Sequence, residues 1–144
     1  MLIKSTVLAL IGAFALSLNA FAGDAPKQAA AYDGKAKAVL IYADWCGSCR
    51  ILDPKIKAVK ESGDFEHVQF VTLDYTARDE EAFYKAAKKA GVKKAVRSAF
   101  EGSSVKTGQL FLISPDGATI LGKVTRDYSE ADIAEAISKA AASV

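Results

Sequence analysis

Two cysteines separated by two residues are the strongest chemical signal in the sequence. Cys46 and Cys49, the only cysteines of the chain, enclose Gly47 and Ser48. Two sulfurs at this spacing can close a small disulfide when they lie on the first turn of a helix, where unpaired N–H groups and the helix dipole stabilise a thiolate. The spacing therefore predicts a redox-active pair, with Cys46 as the nucleophile and Cys49 as the resolving thiol.

Two other interpretations of the cysteine pair are less favoured. A closed zinc site needs four ligands, and the chain offers no further cysteine and a single histidine, His67. A purely structural disulfide across so short a loop removes little entropy from the unfolded chain. Thiol chemistry is therefore the preferred interpretation.

The elements around the pair are predicted to be a buried strand and a helix. Residues 38–43 form a short apolar run of β-formers, which is typical of a strand buried on both faces. After Cys49, apolar residues recur at helical spacing as far as residue 60, with Pro54 inside the pattern. This order places Cys46 at a helix N-terminus.

The rest of the sequence predicts an α/β domain. The elements expected after the first helix are a strand, a helix, two antiparallel strands and a last helix, over residues 68–73, 79–90, 109–113, 118–125 and from 129 onward. Residues 114–117 read Ser-Pro-Asp-Gly, a strong turn signal between the antiparallel strands. Ser129 and Asp132 predict a capping box at the start of the last helix.

The first residues are expected to be a cleavable signal peptide. Lys4 supplies a positive charge, residues 7–18 are almost uninterruptedly apolar, and Ala20-Phe21-Ala22 offers small residues at a cleavage site. The apolar run is shorter than the roughly 20 residues that span a bilayer. We therefore expect residues 1–22 to be removed and residues 23–144 to form one periplasmic domain without a membrane span, where disulfides persist.

The composition excludes several classes of function. Nineteen basic against 17 acidic residues give a net charge of +2, which is too small for a nucleic-acid-binding face. A content of 51% hydrophobic and 25% charged residues is typical of a globular domain. The sequence has no glycine-rich phosphate loop and no Ser-His-Asp set, so we predict neither a cofactor nor a metal.

The segment from Tyr42 to Arg50 resembles the active-site segment of the thioredoxin superfamily. It reads Y-A-D-W-C-G-S-C-R after an apolar strand, and its first four residues are also similar to the C-terminal thioredoxin-like domain of the thiol-disulfide interchange protein DsbD. The resemblance implies a thioredoxin-like α/β fold, a mixed central sheet flanked by helices. It also implies that Cys46 is the exposed nucleophile, that Cys49 resolves, and that Trp45 shields and positions the site.

Two departures from the family pattern concern the surroundings of the thiols. Leu40 stands where the family usually has a buried Asp, so no general base can be carried over from the resemblance. Asp44 lies two residues before Cys46 and is either a participant in the chemistry or, as the favoured interpretation, a solvated turn residue. Gly47-Ser48 replaces the Gly-Pro of cytosolic thioredoxins, which suggests a less reducing pair.

The third departure concerns the segment expected to face the cysteines. The family places a cis-proline at the start of the third strand, and the corresponding position here is Thr107-Gly108. A cis bond before a residue other than proline costs about 3 to 4 kcal/mol, so we predict a trans or rearranged backbone there. Docking of a substrate chain on this segment is therefore in question.

Residues 92–106 are predicted to be an insertion that forms a basic loop beside the site. The segment contains Lys93, Lys94, Arg97 and Lys106. One interpretation is a partner-selecting loop, since long loops at a rigid site often carry recognition. The other, equally weighted, is a merely solvated loop.

The function predicted from these features is reduction or isomerisation of disulfides in exported proteins by Cys46 and Cys49. A membrane reductase is the expected electron donor. Two alternatives remain open: a non-enzymatic protein whose thiol pair holds Cu(I) or a cluster shared by two chains, and an interaction module whose affinity is switched by the disulfide.

Overall fold

The computed structural model describes residues 34–144; the signal peptide expected at residues 1–22 and the leader that follows it lie outside this range. The described elements are four strands and four helices: β1 (Ala36–Tyr42), α1 (Gly47–Ser62), β2 (Val68–Asp74), α2 (Glu80–Lys89), α3 (Lys93–Ala99), β3 (Gln109–Ile113), β4 (Ile120–Thr125) and α4 (Glu130–Ala142).

The strands form one mixed sheet in the order β2-β1-β3-β4. β1 pairs in parallel with β2 and antiparallel with β3, and β3 pairs antiparallel with β4. Because β1 has a neighbour on each side and helices over both faces, six of its seven residues are buried. The predicted α/β fold with a mixed sheet is confirmed, as is the antiparallel pair after residue 108.

Two hydrophobic layers cover the two faces of the sheet. Successive side chains of a strand point to opposite faces, so Ala38 and Leu40 of β1 pack into one layer and Val39 and Ile41 into the other. The first layer is completed by α1 and α4, through side chains that include Leu52, Ile56, Ile133 and Ile137. The second layer is completed by α2 and α3, through side chains that include Phe83, Ala87, Ala95 and Val96.

The prediction of a long loop at residues 92–106 is wrong for its first half, because Lys93–Ala99 forms the helix α3, whereas residues 100–106 belong to no helix or strand. Val92, Ala95 and Val96 are fully buried beside α2, and Phe100 packs its ring against Phe111 of β3 with a centroid separation of 5.8 Å. These apolar residues follow a helical period that the basic residues between them obscure. The added segment therefore belongs to the hydrophobic core.

Two features predicted from short stretches of sequence are found in α4 and α1. Ser129 and Asp132 form the expected capping box, with the Ser129 Oγ accepting from the Asp132 N–H at 3.1 Å. Pro54 lies inside α1, and the helix continues through it to Ser62. Within residues 34–144, no helix is both long and apolar enough to cross a membrane.

Candidate active site

The cysteine pair lies at the junction between β1 and α1. Cys46 is the N-cap of α1, with an extended backbone, and its Sγ accepts a hydrogen bond from the Cys49 N–H at 3.1 Å. The two residues form a disulfide, with their Cα atoms 5.2 Å apart. Since an N-cap acceptor meets the unpaired N–H groups of the first turn, the same position stabilises a thiolate on Cys46 after reduction.

The two sulfurs differ in accessibility. Cys46 is 6% exposed and Cys49 is fully buried, with its Sγ 3.6 Å from the carbonyl oxygen of Ile41. Gly47 is exposed and Ser48 half-buried between them. Both cysteines are thus buried, contrary to the exposed nucleophile that the resemblance implied, and Cys46 is the more accessible of the two.

The segment Thr107-Gly108, just before β3, packs against Cys46 and Ser48. Gly108 has a φ of 80°, and its N–H donates to the Ile41 carbonyl at 2.8 Å. A Cβ built on Gly108 would lie 3.2 Å from the Cys46 Sγ and 2.6 Å from the Ser48 Cβ. The half-buried Thr107 precedes it, and no cis peptide bond occurs in residues 34–144. The predicted position facing the cysteines is thus occupied by closely packed glycine backbone in the trans form.

Known proteins share the sequence pattern and the fold of this domain. The sequence model of the thioredoxin family matches residues 26–94, just under half of the chain, which include both cysteines. A solved structure of a thiol:disulfide interchange protein of the thioredoxin family, from Chlorobium tepidum TLS, superposes with a TM-score of 0.52 at 19% identity, covering 76% of this chain and 81% of that one. The domain has a thioredoxin-like fold.

Two further solved structures are similar at lower scores. Thioredoxin from Fasciola hepatica has 22% identity and a TM-score of 0.47, over 75% of this chain and 83% of its own. StoA from Bacillus subtilis has 17% identity and a TM-score of 0.48, over 72% of this chain and 82% of its own. No curated protein matches the sequence at a significant level.

Leu40 of the thioredoxin-like domain is buried mainly among apolar side chains. It is 3% exposed and packs in the layer between the sheet and helices α1 and α4. A carboxylate placed there would have to shed its hydration shell, which strongly favours its neutral form. The side chain present can take no part in proton transfer to either cysteine.

Asp44 contributes to the site through its backbone. Its N–H donates to the Thr76 Oγ1 at 3.1 Å, and its carbonyl accepts from the Arg50 Nη2 at 3.3 Å. The residue itself is exposed. This arrangement fits the favoured interpretation of a turn residue, and participation of its carboxylate in the chemistry stays a prediction.

Trp45 is held by a loop that sequence reasoning did not connect to the site. Its indole Nε1 donates to the Thr76 carbonyl at 3.0 Å, and the Arg78 guanidinium lies 4.4 Å from the centre of its ring. Trp45 is 44% exposed, so it flanks the disulfide without closing it off. Thr76 is 31 residues from Trp45 along the chain. A local sequence motif cannot predict a contact over that distance.

The groups with displaced pKa values lie outside the loop that carries the cysteines. Hydrogen bonds from Ser114 and from the Ala118 N–H lower the pKa of Asp116. The Ser129 hydroxyl and N–H lower the pKa of Asp132. A hydrogen bond with Asp53 raises the pKa of Lys57, and burial raises that of Tyr84.

The basic residues of α3 border a groove against α2. The groove has a volume of about 1000 Å³, and Arg97 stacks on Tyr84 with its guanidinium 4.7 Å from the ring centre. The charged residues that line it are Glu80, Glu81, Lys85, Lys88, Lys93, Lys94, Arg97 and Glu101. Partner selection by these basic residues stays a prediction, and the residues lie on a helix rather than in the loop that was expected.

Proposed function

We propose that the protein is an exported thiol-disulfide oxidoreductase that reduces or isomerises disulfides of exported proteins. The observation that carries the proposal is the Cys46–Cys49 disulfide at the start of α1 of a thioredoxin-like fold, with Cys46 6% exposed and Cys49 fully buried. A purely structural staple would gain little from so short a loop. The helix-capping position of the Cys46 sulfur is suited to exchange.

The proposed reaction begins with the reduced pair. The Cys46 thiolate attacks one sulfur of the partner disulfide, a mixed disulfide forms, and the other partner sulfur leaves as a thiolate that takes a proton. Cys49 then attacks the Cys46 sulfur, and the proton it gives up balances the one taken by the departing partner sulfur. The Cys46–Cys49 disulfide forms, the partner leaves as a dithiol, and two electrons have passed to it.

Cys49 is suited to the second step by its position. It lies one helical turn from Cys46, so it attacks at high effective concentration. Because its sulfur is fully buried, a partner disulfide cannot reach it first. The order of attack follows from this difference in exposure.

The direction proposed is reduction, with a membrane reductase as donor of electrons. The similarity of residues 42–45 to the thioredoxin-like domain of DsbD supports this direction. The description of the Chlorobium tepidum protein as a thiol:disulfide interchange protein supports exchange chemistry and names no direction. A reduction potential near the roughly −270 mV of thioredoxin would support this direction, whereas a value near the roughly −120 mV of a strong oxidant would reverse it.

The deciding experiment is a trapping series with matched cysteine variants. Cys49→Ala is expected to accumulate a mixed disulfide with a disulfide-containing peptide, detected by mass as one added peptide chain. Cys46→Ala retains a single, buried sulfur and is expected to accumulate none. Equal trapping by both variants, or trapping by neither while the wild-type protein fails to reduce the peptide, would contradict the proposed function.

The same preparation tests the two alternatives. Within residues 34–144, no group of three or more His, Cys, Asp or Glu side chains could hold a metal ion. Stoichiometric copper or iron in the reduced protein would favour the metal-binding alternative. Binding of a partner that depends on the disulfide, without turnover, would favour the interaction module.

Export is proposed from the first 22 residues and has a test of its own. Expression of the full chain in a Gram-negative host should yield a periplasmic product whose mass corresponds to a chain that begins at Gly23. A product that keeps Met1 and stays with the cytoplasmic fraction would contradict periplasmic localisation without touching the redox chemistry.

A further inference from the structure

The loop between β2 and α2, residues 75–79, is fastened to the loop that carries the cysteines. The Tyr75 N–H donates to the Tyr42 carbonyl at 2.7 Å, at the end of β1. Thr76 accepts from the Asp44 N–H through its hydroxyl and from the Trp45 indole through its carbonyl, at 3.1 and 3.0 Å. Both residues before Cys46 are therefore held by a segment outside the cysteine motif.

Arg78 is the unusual residue of this loop. Its φ is 57°, and it is the one non-glycine residue in the range 34–144 with a positive φ. Side chains rarely adopt this conformation, so it persists where the surroundings enforce it, often at functional sites. Here the Arg78 N–H donates to the Tyr75 carbonyl at 3.0 Å, which closes a tight turn.

The turn carries the Arg78 side chain onto the indole of Trp45. The guanidinium lies 4.4 Å from the ring centre, within the range of a cation–π contact. Among the described residues, no carboxylate lies within salt-bridge distance of this guanidinium. Within residues 34–144, the stack on Trp45 is thus the one hydrogen bond, ion pair or ring contact of the Arg78 side chain.

Trp45 has the character of a docking residue. It is 44% exposed, directly precedes Cys46, and is one of few large apolar side chains that reach the surface of the described region. Exposed tryptophans often anchor protein interfaces. An anchor that is ordered before the partner arrives avoids the entropy cost of being immobilised on binding.

We propose that Arg78 is a positioning residue that fixes the indole of Trp45 beside Cys46 for the docking of polypeptide disulfides. The proposal rests on the proposed function, because docking is useful here only if Cys46 exchanges with a partner. Arg78 acts through Trp45 and touches neither sulfur in this scheme. A small disulfide, which does not extend to the indole, should be insensitive to Arg78.

The test compares two disulfides and four proteins. The disulfides are a ten-residue cyclic peptide closed by one cystine and oxidised glutathione. The proteins are the wild type, Arg78→Gly, Arg78→Lys and the control Arg97→Ala. Glycine accepts the left-handed turn without strain, lysine keeps the charge without the planar stack, and Arg97 makes a similar contact on Tyr84.

We expect Arg78→Gly to slow reduction of the peptide about two- to twelvefold, the range that corresponds to immobilising one side chain. The rate of reduction of glutathione disulfide should stay within a factor of two of the wild-type rate. The reduction potential should equal that of the wild type within error. Arg78→Lys should fall between the wild type and the glycine variant. Arg97→Ala should behave like the wild type with both disulfides.

A spectroscopic readout follows the indole directly, since Trp45 is the only tryptophan of the chain. Arg78→Gly is expected to increase quenching of its fluorescence by acrylamide and to lower its anisotropy, and Arg97→Ala to change neither. If the glycine variant does not fold, Arg78→Asn takes its place, because asparagine also tolerates a left-handed backbone.

Three outcomes would overturn the role of Arg78. They are unchanged quenching in the glycine variant, equal slowing of both disulfides, and a shifted reduction potential that accounts for the slower rate. A wild-type protein that reduces neither disulfide would instead contradict the proposed function, and the fluorescence comparison would still report whether Arg78 holds the indole.

Discussion

Gly108 lies against Cys46 so closely that the position has no room for a side chain. An ideal Cβ on Gly108 would be 3.2 Å from the Cys46 sulfur and 2.6 Å from the Ser48 Cβ. The backbone at Gly108 also has a φ of 80°, which favours glycine. The disulfide is therefore packed on one side by bare main chain, at the position where the resemblance predicted the segment that faces the cysteines.

The contact at Gly108 predicts a specific cost for an added methyl group. Gly102 is the matched control, because its φ is 71° and a Cβ added there would have nothing within 4 Å. Both alanine variants should lose about 1 to 2 kcal/mol of unfolding free energy to the left-handed backbone. Gly108→Ala should lose about 1 to 3 kcal/mol more, since Ser48 or Cys46 must move.

Urea unfolding of the oxidised proteins measures the difference between these two variants. Gly108→Ala should also exchange more slowly with a peptide disulfide, whereas Gly102→Ala should match the wild type. Equal unfolding free energies for the two variants would show that Ser48 and Cys46 can move away from the added methyl group at position 108 at no cost in stability.

An aspartate at position 40 should make the unfolding free energy depend on pH. In Leu40→Asp, burial among apolar side chains should raise the carboxyl pKa above its unfolded value near 3.9. A raised pKa in the folded state means that stability is lost as pH rises. The unfolding free energy should fall by about 1.4 kcal/mol per pH unit between the unfolded and folded pKa values.

The neutral variant Leu40→Asn is the control for this titration. It should be destabilised by a nearly constant amount across the same range, because it buries a polar group that does not ionise. Thermal unfolding from pH 4 to pH 8 makes the comparison. Parallel curves for the two variants would show that water reaches the position.

The core of α3 gives a test of the segment that was expected to be a loop. Val96 is fully buried against α2 and the sheet, so Val96→Ala should lower the unfolding free energy by about 2 kcal/mol. Ser98 lies exposed on the same helix, and Ser98→Ala should change stability by less than about 0.5 kcal/mol. Equal small effects in denaturant unfolding would argue for a loosely attached segment.

The capping box of α4 predicts a pH-dependent contribution to stability. Hydrogen bonds from Ser129 lower the pKa of Asp132 below its unfolded value, so its contribution is complete above that value and disappears as pH falls through the folded pKa. Asp132→Asn should therefore have a lower melting temperature than the wild type at pH 7, and the gap should narrow below pH 3.8.

Glu135→Gln is the control for Asp132, because it removes one carboxylate from the exposed side of the same helix without touching the cap. It should shift the melting temperature less at pH 7. A gap between Asp132→Asn and the wild type that stays constant down to pH 2 would mean that the carboxylate charge is not what stabilises the cap.

Local patterns were enough to predict most of the elements near the cysteines. The apolar run that became β1, the helical spacing after Cys49 and the Ser129 cap all act over a few residues. The loop predicted for residues 93–99 is wrong because the basic residues there obscure the apolar period of Val92, Val96 and Phe100. Burial of those side chains needs the neighbouring α2 and β3, which no local pattern displays.

The sequence by itself determined the position of the thiol pair at a strand-to-helix junction, the apolar Leu40 in the central strand, and Gly108 where the resemblance predicted the segment that faces the cysteines. These follow from residue types and short spacings. Only the tertiary structure decided which side chains surround the pair. Thr76 and Arg78 reach Trp45 because parallel pairing of β1 and β2 brings their carboxyl ends to the same edge of the sheet, and contacts between distant segments depend on that pairing.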